Sequence, residues 1–141
     1  MRHDFANFIV PVRDFDRWSY RYVNHPKLTY KIALISEPLT NKPLAVVVMV
    51  VHPDFIELVD YIGGSDGVSL AVKGARQYAF QFEKPSVKAW FTNAIVHLFD
   101  ADSLSVTKTG IEVPINLRGT TKEEAVLPAP LWLMAGDTDF R

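Results

Sequence analysis

The sequence predicts an α+β fold: a mixed, mostly antiparallel central sheet flanked by helices. Three observations carry this expectation. Between Thr29 and Ile62, three runs rich in β-branched and aromatic residues are separated by turn signals. From Val68 the apolar period changes from two to that of a helix. Beyond Pro85, short strand-like runs return. With 141 residues, 48% hydrophobic and 22% charged, the chain suits one domain over 1–141, its first thirteen residues loose.

Each element has a local reason. Phe15, Trp18 and Tyr22 recur at helical spacing, with Asp14 as a cap and a stop before Pro26, so a short helix places these aromatics in the core. Strands follow at Thr29–Ser36, Leu44–His52 and Phe55–Ile62. "EPLTNKP" and the tight "HPD" turn join them into an antiparallel meander. In the third strand a period of two groups Phe55, Glu57, Val59 and Tyr61 on one face and Ile56, Leu58, Asp60 and Ile62 on the other. A helix then buries Val68, Ala71, Val72, Ala75, Ala79 and Phe82 until Pro85, and Gly74 within it signals close packing. Ser86–Phe91 reads as a strand and Asn93–Phe99 as a short helix. "SLSVTKTG", "IEVPINL" and "LWLMA" close the sheet, the second as an edge or bulged strand because of Pro114.

Composition excludes several classes. The net charge is −1 and 15 basic residues are scattered among 16 acidic ones, so no basic stripe points to nucleic acid. Without cysteine there is no disulfide, thiolate metal site or cysteine nucleophile, which fits a reducing, cytoplasmic setting. The longest apolar run, Leu44–Val51, is too short to span a bilayer, so no membrane partner is expected. His3, His25, His52 and His97 lack metal-ligand spacing, and none of the common hydrolase motifs occurs. Trp18, Trp90 and Trp132 are expected in the core. "GTTKEEAVLPAP" reads as a loop, with a lid or partner contact as the functional alternative.

The cluster Gly63-Gly64-Ser65-Asp66-Gly67 joins a strand to a helix N-terminus, an arrangement in which unpaired N–H groups can hold an anion. Its glycine spacing fits neither common nucleotide-binding fingerprint and no lysine follows. On its own residues the cluster is a turn, with Ser65 or Asp66 ready to cap the helix.

The element order, with "DRWSYRYVNHP" (Asp16–Pro26) and the ending "LWLMAGDTDF" (Leu131–Phe140), resembles the GNAT superfamily of N-acyltransferases. It is most similar to the GNAT-like domains that form the C-terminal half of larger bacterial proteins. The resemblance covers Phe15–Phe140 and implies a missing N-terminal domain, or a homodimer, as neighbour. In GNAT enzymes the fourth strand ends in a [QR]-x-x-G-x-[GA] loop whose N–H groups hold the pyrophosphate of acyl-CoA. That loop matches Ile62–Val68, which implies a site for acetyl-CoA or another acyl-CoA at Ile62, Gly63, Gly64, Ser65 and Gly67, although the Gln or Arg is missing. The family's N-x-x-A-x-x-L-[YF] signature is similar to "TNAIVHLF", which brings Thr92 and Asn93 to the cofactor and puts Phe99 where many members have a tyrosine acid.

A base for the attacking amine is commonly a glutamate on the family's fourth strand. The resemblance therefore implies Glu57, with Asp60 and His52 as second choices. The bland readings are a solvent-facing strand residue for Glu57 and a turn residue for His52. Two functions stay open. One is an acyl-CoA-dependent N-acyltransferase that joins an acyl-CoA to an amine acceptor mostly by positioning. The other is a GNAT-like domain without chemistry, a binding, packing or dimerisation half of a larger enzyme. An open V-shaped gap between the family's fourth and fifth strands separates the first from the second.

Overall fold

A computed structural model describes residues 8, 10, 11, 14–99, 105–111, 129 and 131–137. All but Ile111 of the expected strand "IEVPINL" and all but Ala129 of "GTTKEEAVLPAP" lie outside them. The architecture is α+β, with a four-stranded mixed sheet in the order β1-β2-β3-β4. Its strands are β1 (Lys31–Ser36), β2 (Pro43–Val51), β3 (Ile56–Gly63) and β4 (Val87–Ala89). The pairs β1/β2 and β2/β3 are antiparallel, whereas β3 and β4 are parallel. Helix α2 (Val68–Gln81) makes the crossover that parallel strands require.

The first helix, α1 (Phe15–Trp18), is a single turn capped as expected: the Asp14 carboxylate accepts the N–H of Arg17 at 2.8 Å. It runs on as a π-turn over Ser19–Val23, which lays Trp18 and Tyr22 on the sheet. Phe15, in the leading turn, is 78% exposed, so only Trp18 and Tyr22 of the expected trio reach the core.

β2 is enclosed by strands on both sides, and its alternation feeds two layers. Ala45, Val47 and Met49 face α2, while Val48 and Val50 meet Tyr22 on the opposite face. In β3 the expected period of two breaks. Val48 pairs with Asp60 and Met49 with Leu58, so Val59 is the extra residue of a β-bulge. Ile56 and Leu58 face α2 before the bulge and Tyr61 does so after it, while Val59 joins the opposite layer. Asp60 therefore does not share a face with Ile56 and Leu58.

Helix α2 buries Val68, Ala71, Val72, Ala75 and Ala79, small residues that let it sit close to the sheet. A Cβ on Gly74 would lie 3.0 Å from the Ile35 Cδ1, the close approach that a mid-helix glycine signals. Phe82, expected in the buried stripe, lies just past the helix end and is 44% exposed. The helix starts with Gly67 at its N-cap, where there is no side chain to cap it, so neither Ser65 nor Asp66 fills that place.

Asn93–Leu98 forms the short helix as a 3-10 segment with Ile95 buried. Residues 105–110, the described part of an expected strand, are exposed and pair with no strand among the described residues. Among the described residues, no helix is long and apolar enough to cross a membrane.

Candidate functional site

The geometry around β3 and β4 decides what the site can do. These strands pair only from Ile56/Val87 to Leu58/Ala89 and then part. The space between them is filled by the chain itself. Ala135 donates its N–H to the Trp90 carbonyl at 3.0 Å, Thr92 donates to the Leu133 carbonyl at 3.0 Å, and Phe91 bridges Met134 in antiparallel fashion. Ser86, two pairs before Trp90 on the same side of the strand, turns its carbonyl to Ile56 of β3. By alternation Trp90 and Thr92 also point toward β3, so Leu131–Ala135 lies on the β3 side of them. At Gly136 an added Cβ would lie 3.1 Å from the Val59 carbonyl oxygen, which fixes this segment against β3 as well.

Trp132 is 2% exposed and stacks on Tyr61, ring centroids 6.0 Å apart. The expectation that all three tryptophans are core fails at Trp90, which is 52% exposed because its neighbour Phe91 takes the inward place and stacks on Phe99 at 4.2 Å. Phe99, which the resemblance to GNAT domains sets at the acid position, is buried in that stack.

The glycine cluster is packed from beneath. The Tyr61 hydroxyl donates to the Gly64 carbonyl, and a Cβ on Gly63 would come within 2.6 Å of the Ala45 Cβ and 2.7 Å of that hydroxyl. A Cβ on Gly67 would come within 2.6 Å of the same oxygen. The N–H groups of Gly67 and Val68 are spent inside the 3-10 turn Ser65–Gly67, on the carbonyls of Gly64 and Ser65. Gly63 is thus closed to a side chain by Ala45, Tyr61 and Leu44 together, and Gly67 by Tyr61. Ile62 points away from α2 and pairs across the sheet with Val46, while Ser65 is exposed.

Thr92 is a staple: its hydroxyl donates to the Leu131 carbonyl at 2.5 Å and accepts the Leu133 N–H at 3.2 Å. Asn93 begins the 3-10 segment and is exposed.

Of the candidate bases, the structure brings Glu57 and His52 together across the β2–β3 turn, Nε2 to Oε2 2.9 Å. The imidazole stacks on Phe55, with centroids 4.4 Å apart, and the Lys88 ammonium sits 4.2 Å from the centroid of that same Phe55 ring. Glu57 and Gly63 are six positions apart on β3, about 20 Å at strand rise.

Asp60 stands apart from that pair. It is 2% exposed, accepting the Tyr22 hydroxyl on Oδ2 and the Tyr61 N–H on Oδ1, each at 2.8 Å. Burial, and next the Asp60 carboxylate, push the Tyr22 hydroxyl well above the ordinary tyrosine pKa, so it stays protonated and donating. Gly136 roofs this pair, its α-carbon leaving no room for a methyl beside the Tyr22 hydroxyl. No attacking amine reaches a carboxylate so enclosed.

Among the described residues no group of three His, Asp or Glu side chains is placed to hold a metal ion. Compared with known proteins, the chain matches no family model, no curated protein and no solved structure. The likeness to GNAT domains therefore stands on element order and short motifs. What sequence reasoning missed is the Tyr61–Trp132 stack and the seat of residues 131–137; "LWLMA" signalled a strand, but nothing local told where it would pair.

Proposed function

We propose that this chain is a GNAT-like domain without acyl-transfer chemistry, acting in the cytoplasm as a packing or binding module for another protein unit. The observation that carries this reading is the filled gap. Residues 131–135 take the backbone bonds of Trp90 and Thr92 that would otherwise be free to orient a thioester. Three further features agree: Tyr61 under the glycine cluster, the enclosed Asp60, and phenylalanine at the acid position.

The acyltransferase reading keeps one supporting feature, the three-residue pairing after which β3 and β4 part. It requires residues 131–135 to leave the gap, breaking the bonds to Trp90 and Thr92 and exposing Trp132.

Thermal unfolding with and without millimolar acetyl-CoA separates the two. Ligand at about 100 times its Kd adds about 2.7 kcal/mol and moves the midpoint by several degrees. The expected result is no shift. A rise absent with adenosine alone would overturn the non-catalytic reading and call for amine acceptors, with Glu57→Gln as control.

A further inference from the structure

β1 is the outer strand of the sheet, and among the described residues nothing pairs with its free side. Glu37 donates its N–H inward to Lys42 across the β1–β2 hairpin. Counting back in twos, Ile35, Ala33 and Lys31 also face β2, so the backbone groups of Ser36, Leu34 and Ile32 point outward. That outward set is centred on Leu34.

We propose that two copies of this chain form a twofold dimer by antiparallel pairing of β1 with β1, in the register that sets Leu34 opposite Leu34. Three features favour a second copy over another occupant. The register satisfies the outward groups symmetrically, Leu34 with Leu34 and Ile32 with Ser36. It sets Lys31 opposite Glu37 twice, so the charges at the strand ends are complementary. It also joins two half-rows: Leu34 is 62% exposed and lies in line with Val46 and Ile62 on the face away from α2, and the row runs through the axis into its copy. An edge of six residues buries less than the about 1,200 Å² of a standard interface, so the dimer is concentration-dependent.

This names the partner that the non-catalytic reading leaves open. Acyl-CoA binding is read by unfolding and the dimer by sedimentation, so either reading fails without the other. Sedimentation velocity from micromolar to millimolar protein is expected to show a monomer–dimer equilibrium. Lys31→Glu and Glu37→Lys each set like charges opposite twice and raise Kd about tenfold. Mixed, they restore both opposite-charge pairs and recover a heterodimer, which no loss of folding could imitate. A wild-type chain monomeric at millimolar concentration overturns the dimer. Single variants that associate as tightly as wild type, or a mixture that recovers nothing, overturn the register.

Discussion

The Trp132 ring lies parallel to that of Tyr61, planes 6° apart and centroids separated by 6.0 Å, so a late segment is anchored on the far half of β3. Trp132 is among the largest fully buried side chains. Trp132→Ala is expected to cost about 3–5 kcal/mol, from lost transfer energy and the cavity left behind. Urea unfolding with an unchanged m-value measures it. A loss under about 1 kcal/mol would mean that residues 131–137 do not occupy the gap.

Burial of the Tyr22 hydroxyl, and next its Asp60 partner, makes stability fall at alkaline pH. The folded pKa of Tyr22 is raised above the ordinary 10.0, so its contribution is complete below pH 10 and is lost as pH rises beyond it, where the unfolded chain releases the proton and the folded chain keeps it. Tyr22→Phe is expected to cost about 1.5–3 kcal/mol at neutral pH, because a buried carboxylate loses a donor. It should also remove about 1.4 kcal/mol per pH unit from the decline just above pH 10. Equal alkaline slopes for wild type and variant would contradict the raised pKa.

Gly136 and Gly63 are both closed to a side chain, for different reasons. Gly136→Ala drives a methyl into the Tyr22 hydroxyl, and Gly63→Ala drives one against the Ala45 Cβ and the Leu44 carbonyl oxygen 2.8 Å away. Each is expected to lose about 1–3 kcal/mol or more by overpacking. Chemical denaturation without any ligand reports both. A Gly63→Ala chain of wild-type stability would leave ligand contact as the reason for that glycine.

Gly74→Ala should act in the other direction. Alanine gains about 1 kcal/mol in a helix interior, and the nearest obstacle is the terminal methyl of Ile35, 3.0 Å from the added Cβ, which yields by turning. A midpoint up to a few degrees higher is expected. A lower midpoint would show that Ile35 is held fast between α2 and β1.

Strand and helix positions along 29–85 were legible because Val- and Ile-rich runs, turn dipeptides and the shift in apolar period are local signals. The bulge at Val59 was not, since a period of two carries no mark of an inserted residue. Its trace was Asp60, a charge in the phase of an apolar face, which is what a slipped phase looks like from sequence. The glycine cluster was legible as a turn, but the tyrosine beneath it was not, because which face Tyr61 takes depends on that bulge. The pairing of Thr92 with Leu133 spans 41 positions and has no local signature. The same blindness gave Trp90 and Trp132 one expectation when one is exposed and the other buried.

That 41-position closure also orders events in time. The hairpins β1–β2 and β2–β3 need only neighbours and form early, whereas the last rung of the sheet waits for a distant stretch to arrive. During synthesis, a chain that has emerged only through Phe99 lacks the residues that stack on Tyr61 and pair with Phe91, so both stay uncovered until Trp132 and Met134 follow. The arrival of residues 131–135 thus sets the interval in which this apolar face is uncovered.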